Sequence, residues 1–104
     1  MAAKKYVIYP IERRKLVDLG DRLKRARLRR KLSMQVVADR CNISRSTLYK
    51  LEKGHHSCSI GLLIKVLSIY RLLDDIELVA KDDILGRTLL ELGLRSYTKA
   101  NEKE

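Results

Sequence analysis

Phenylalanine and tryptophan are absent from the 104 residues, and proline occurs once. With five tyrosines as the only aromatics, the interior has to be aliphatic, and 18 Leu, 8 Ile and 6 Val supply it. Five glycines and a single proline argue against a turn-rich β-sandwich and against a glycine-rich phosphate loop. Long apolar runs are missing as well; stretches such as 61–64 fall far short of the roughly 20 residues a membrane span needs. The opening Met1-Ala2-Ala3-Lys4-Lys5 lacks the apolar region of a secretory signal, so a soluble chain in the cytoplasm is expected. Two cysteines, Cys41 and Cys58, allow one bridge at most, and in a reducing compartment both are expected as free thiols.

What is present is enough apolar content (45%) to pack one domain, together with an excess of positive charge. Lys and Arg number 23 against 13 Asp and Glu, a net of +10. The excess is lopsided: residues 1–53 hold 16 basic and 5 acidic side chains (+11), and residues 54–104 hold 7 and 8 (−1). A basic half beside a neutral half points to an anionic partner on one face, either nucleic acid or an acidic membrane surface.

Periodicity along the chain predicts an all-α fold of about five to six helices. Residues 4–11 are rich in β-branched and aromatic types, which predicts a short strand or extended arm. From about Glu12 to about Lys31, Leu16, Leu19, Leu23, Ala26 and Arg30 recur at steps of three and four, an amphipathic helix. Ser33, Ser44 and Ser59 each precede an apolar run as N-caps, and Asn42 suits a left-handed helix end. A helical turn is expected over 74–79, and a last helix from Asp82 or Asp83 to Gly93. The expected organisation is an arm (1–11), a DNA-binding domain (12–72), a helical extension for dimerisation or partner binding (73–94) and a flexible tail (95–104).

The segment from Ser33 to Gly54 is two short helices joined by a tight turn, the pattern of a helix-turn-helix. The string Leu-Ser-Met-Gln-Val-Val-Ala-Asp-Arg-Cys-Asn-Ile-Ser (32–44) followed by Arg-Ser-Thr-Leu-Tyr-Lys-Leu-Glu-Lys-Gly (45–54) resembles the Cro/repressor (XRE) family. The shared features are an alanine in mid-helix two, an aliphatic-Ser pair before helix three, and Glu-x-Gly at its end. At those positions Ala38 would allow close approach of the two helices, while Val37, Ile43, Leu48 and Leu51 would fill the small core between them. The resemblance implies a structural ion pair between Arg27 and Glu52. Two positions depart from the family pattern: Asn42 stands at the turn glycine, and Met34 stands where a glutamine is usual, with Gln35 one step later.

On helix three, Ser46, Tyr49, Lys50 and Lys53 share one face and Arg45 lies at its edge. The resemblance places Arg45, Ser46 and Lys50 at base-reading positions, where Arg or Lys can donate to guanine O6 and N7, with Tyr49 beside them to touch a thymine methyl or a phosphate. Gln35, Ser44, Thr47, Lys53, His55 and His56 are better placed for the DNA backbone. The run His55-His56-Ser57-Cys58 lacks a second ligand pair at zinc-finger spacing, so no metal site is expected, and no cofactor. The paired acids Asp74-Asp75 and Asp82-Asp83 read as helix starts. No nucleophile stands beside a general base, so no enzyme is expected.

Aliphatic residues crowd the chain after Leu62 beyond what one small core requires, which suggests a homodimer interface that includes Leu72, Leu73, Ile76, Leu85, Leu89 and Leu92. The arm and the Asp-Ile-Leu-Gly-Arg segment (83–87) further resemble the HipB-like regulators encoded beside HipA-like kinases. That resemblance implies an antitoxin that autorepresses its operon and binds double-stranded DNA and a kinase-like toxin. The tail lacks the tryptophan of some HipB-like proteins, which leaves DNA binding and complex assembly as the main contribution of this chain. The rival readings are a free-standing regulator and, more remotely, a peripheral membrane binder using the basic helix over 13–30, whose leucine stripe is already claimed by the core.

Overall fold

Pro10 opens the first helix. Its fixed φ and missing N–H suit the first helical position, and the Tyr9 N–H donates to Glu12 Oε1 at 2.9 Å. The computed structural model describes residues 5–93. Helix α1 spans Pro10–Arg29, α2 Met34–Cys41, α3 Arg45–Glu52, α4 Ile60–Ile69 and α5 Ile84–Glu91, with a 3₁₀ turn over Leu73–Leu78. Among the described residues there is no strand. Of the short strand or extended arm expected over 4–11, the strand is corrected: residues 5–9 have no ladder partner, and Pro10 and Ile11 already belong to α1. The expected tail, 95–104, lies outside the described residues.

The chain divides after Leu73 into two compact units. In the first, each helix start is satisfied locally. Ser33, Ser44 and Ser59 accept from the N–H of Val36, Thr47 and Leu62 at 3.1, 3.1 and 3.0 Å. The helix ends repeat one device. Lys31, Asn42 and Arg71 take left-handed backbone (φ 54°, 57° and 61°), and Gly54 does the same at 75°. The next residue then donates its N–H to the carbonyl five positions back: Leu32 to Arg27, Ile43 to Ala38, His55 to Lys50 and Leu72 to Leu67. Leu32, Ile43 and Leu72 also pack against the core, so each stop turns the chain inward.

The core that results is aliphatic with one aromatic. Val37, Ala38, Leu48, Val66 and Tyr70 are fully enclosed, with Leu23, Ala26, Cys41, Leu51 and Leu67 around them. Helix α3 packs against α1 and α2, and α2 packs against α4. Arg30, the exposed residue that caps the end of α1, donates from Nη1 to the Ala26 carbonyl at 3.0 Å and lays its guanidinium over the Tyr70 ring at 5.7 Å.

In the second unit, Asp83 caps α5 by accepting from the Gly86 N–H at 2.9 Å, and Arg87 pairs with Asp82 at 2.9 Å. No residue of α5 is buried. Leu78, Val79, Ile84, Leu85 and Leu92 are each more than three-fifths exposed.

Candidate nucleic-acid interface

Only two residues, Ile43 and Ser44, separate the left-handed Asn42 from the start of α3, so α2 leads directly into α3. Ala38 and Leu48 are fully buried where the two helices meet, and a longer side chain at 38 would push them apart. The other flank of α3 is fixed on α1. Arg27 Nε donates to Glu52 Oε2 at 2.7 Å and Nη2 donates to Oε1 at 3.1 Å, a fork that joins α1 to the end of α3. Nη1 donates to the Leu32 carbonyl at 3.1 Å, which ties the turn after α1 into the same arrangement. Both side chains are buried, and the hydrogen bond to Glu52 holds the Arg27 guanidinium charged more firmly than in water.

Two glycines make this contact possible. A Cβ at Gly20 would lie 2.5 Å from the Glu52 carbonyl oxygen, and a Cβ at Gly54 would lie 2.5 Å from that of Leu16. Gly54 was legible as the glycine of the Glu-x-Gly that ends helix three, whereas Gly20 was not singled out; a glycine inside an otherwise strong helix pattern was the available signal for its close backbone approach.

With Leu48, Leu51 and Glu52 turned inward, the remaining face of α3 is open. Arg45, Ser46, Tyr49, Lys50 and Lys53 are all exposed. Two shallow grooves flank the helix. Val17, Asp21, Lys24, Met34, Tyr49, Glu52 and Lys53 line one, and the Lys53 ammonium rests over the Tyr49 ring at 5.3 Å. Ile43, Thr47, Lys50, Ser57 and Ser59 line the other. The predicted base-reading residues thus share the open face of α3, and Lys24 of α1 lines the groove beside Tyr49.

The predicted backbone contacts are placed less uniformly. Ser44 Oγ caps α3 and shares hydrogen bonds with Ser46 Oγ at 3.0 Å and Thr47 Oγ1 at 2.8 Å, so the three hydroxyls form one cluster at the helix start. Gln35 Nε2 donates to Asp39 Oδ1 at 2.8 Å along α2. His55 Nδ1 accepts from the Ser57 N–H at 3.1 Å, which holds that ring over its own loop. The His56 ring stacks on His55 with centroids 4.8 Å apart and meets the Tyr6 ring edge-on at 5.7 Å, and it is half-buried. Of the expected interface residues, Leu72 packs against the core of the first unit, Ile76 is half-covered, and Leu73, Leu85, Leu89 and Leu92 are exposed.

The electrostatics favour an anion. Arg13, Arg14, Lys15, Arg22, Lys24, Arg25 and Arg29 of α1 are exposed, and among them Arg25 is paired with Asp21 at 2.8 Å. The first amides of α2 and α3 point out of the helix ends and can donate to phosphate oxygens. Burial pushes both thiols, Cys41 and Cys58, above their usual range, so they remain protonated. Among the described residues no three His, Cys, Asp or Glu side chains are grouped to hold a metal ion. No helix of the described residues is long and apolar enough to cross a membrane.

A buried two-helix corner that leaves one face of its second helix free is the arrangement of a helix-turn-helix, a DNA-binding class of domain. The sequence profile of the helix-turn-helix domain family matches residues 18–80, and the chain belongs to this family, within its XRE-like group. No curated protein matches the chain.

Proposed function

We propose that the chain is a sequence-specific transcriptional repressor that acts as a homodimer on a two-fold operator and is the antitoxin and autoregulatory subunit of a HipA-like toxin–antitoxin system. The observation that carries the DNA-reading part is the division of α3: Leu48, Leu51 and Glu52 anchor it, and Arg45, Ser46, Tyr49 and Lys50 take no part in the core. In this reading α3 enters the major groove. Arg45 and Lys50 donate to guanine edges, Ser46 bonds a base or sugar edge, and Tyr49 covers a thymine methyl. Gln35, Ser44, Thr47, Lys53, His55 and His56 set the register on the phosphates. The buried fork between Arg27 and Glu52 gives α3 a fixed angle, so that a displaced phosphate contact does not tilt the reading residues. The chain works in the cytoplasm and performs no catalysis of its own.

One such module spans only a few base pairs, and pairing two over an operator multiplies the contact. The exposed Leu85 and Leu89 on α5, with Leu92 just after it, supply the surface for the second copy. The kinase-like partner is inferred from the Asp83–Arg87 segment and the arm. Footprinting on the DNA upstream of the chain's own gene tests the reading. Two protected half-sites one helical turn apart, lost when about five base pairs are inserted between them, are expected. Uniform, sequence-independent protection would contradict it. Co-purification with a HipA-like kinase separates the antitoxin role from that of a free-standing regulator.

A further inference from the structure

The two grooves that flank α3 differ in charge. Toward the start of α4, Thr47, Ser57 and Ser59 stand with Lys50 and no carboxylate. Toward α1, two lysines, Lys24 and Lys53, share the groove with two carboxylates, Asp21 and Glu52. Both carboxylates are already neutralised: Asp21 pairs with Arg25 at 2.8 Å and Glu52 with Arg27 at 2.7 Å. Neither lysine pairs with a carboxylate among the described residues. The Lys53 ammonium lies over the Tyr49 ring at 5.3 Å, which restrains it at the groove. Met34 opens α2 in the same groove and, with only a thioether, offers no hydrogen-bond donor.

We infer that Lys24 of α1 is a DNA-backbone contact, which with Lys53 holds a phosphate of the strand that passes the α1 side of α3. The inference rests on the reading in which α3 enters the major groove. That groove is about 12 Å wide and bordered by both backbones, so the flanks of a helix seated in it meet phosphates. An ammonium on a flexible stem suits such a contact, because it acts as a point charge and needs no fixed geometry. Lys24 stands one turn before Arg27, whose fork to Glu52 joins α1 to α3. A phosphate held at Lys24 therefore positions α3 through the same clamp and carries no choice of sequence.

The test measures duplex affinity of the full chain over a range of salt, on an operator and on a scrambled duplex. Lys24→Gln should make the slope of log affinity against log salt shallower by about 0.9, the value for one phosphate, on both duplexes alike. Lys24→Arg should keep the original slope. Lys65→Gln, which removes an exposed lysine of α4 outside both grooves, should leave it unchanged. A slope unmoved by Lys24→Gln, an equal change with Lys65→Gln, or a loss confined to the operator would overturn the assignment. Equal affinity of the unaltered chain for the two duplexes would sink sequence-specific recognition, while the Lys24 slope would still decide the backbone contact. No binding to either duplex would overturn both.

Discussion

Helices α3 and α5 are both eight residues long, and each begins with a side-chain oxygen that accepts from the third amide of the helix. They differ in everything that follows. α3 buries three residues and is clamped by a buried ion pair, whereas α5 buries none and carries an ion pair whose side chains are 63% and 75% exposed. The caps set where a helix starts; burial decides how much of the fold depends on it. Isolated helices this short are marginal in water, so α3 is held by its neighbours, and α5 has an apolar face in need of one.

The largest break in the comparison should come from the clamp. Arg27→Ala or Glu52→Ala leaves a buried charge without its partner, and chemical denaturation should show a loss of about 3–5 kcal/mol. Arg87→Ala in the exposed pair should cost no more than about 1 kcal/mol. Equal losses at the two sites would mean that the Arg27–Glu52 pair is not the anchor of α3.

The apolar residues of α5 should matter to association instead. Leu85→Asp with Leu92→Asp should shift sedimentation from dimer to monomer, since each buried leucine contributes about 1.5–3 kcal/mol to such an interface. The first unit should keep its melting transition. A dimer that survives both changes would move the interface away from α5.

A smaller effect sharpens the account of the first unit's core. Tyr70 is fully buried, and its hydroxyl lacks a hydrogen-bond partner. Burial first, and then the nearby Glu52 carboxylate, push its pKa from 10.0 up to about 12. Because the folded value lies above the unfolded one, this contribution to stability is complete below pH 10 and is lost as the pH climbs from 10.0 towards about 12. Tyr70→Phe should retain its stability at neutral pH and lose less of it across that alkaline interval. An unchanged alkaline profile in the variant would exclude Tyr70 as the cause.

Much of this architecture could be read from residues. Ser33, Ser44 and Ser59 act locally, so their caps were legible, and Asn42 took the left-handed turn because its side chain tolerates it. Arg27 and Glu52 meet in the structure as the family resemblance implied. Other features depend on distant partners. Lys31 and Arg71 adopt left-handed backbone because Leu32 and Leu72 must turn into the core, which residue type alone does not announce. The expected strand before Pro10 was drawn from β-branched residues that find no neighbouring strand among the described residues, while proline at a helix start outweighed them. Gln35 and His56 were both expected at the DNA backbone; in the structure Gln35 is bonded to Asp39 and His56 lines a cavity.

The central claim is that α3 reads bases through Arg45 and Lys50. Its most direct test is the affinity of the unaltered chain, Arg45→Ala and Lys50→Ala for an operator duplex and for a scrambled one at matched salt. Each substitution should cost about 1–3 kcal/mol on the operator and much less on the scrambled duplex, so that specificity falls. Equal losses on both duplexes would show that these side chains hold phosphates only, and would contradict the account.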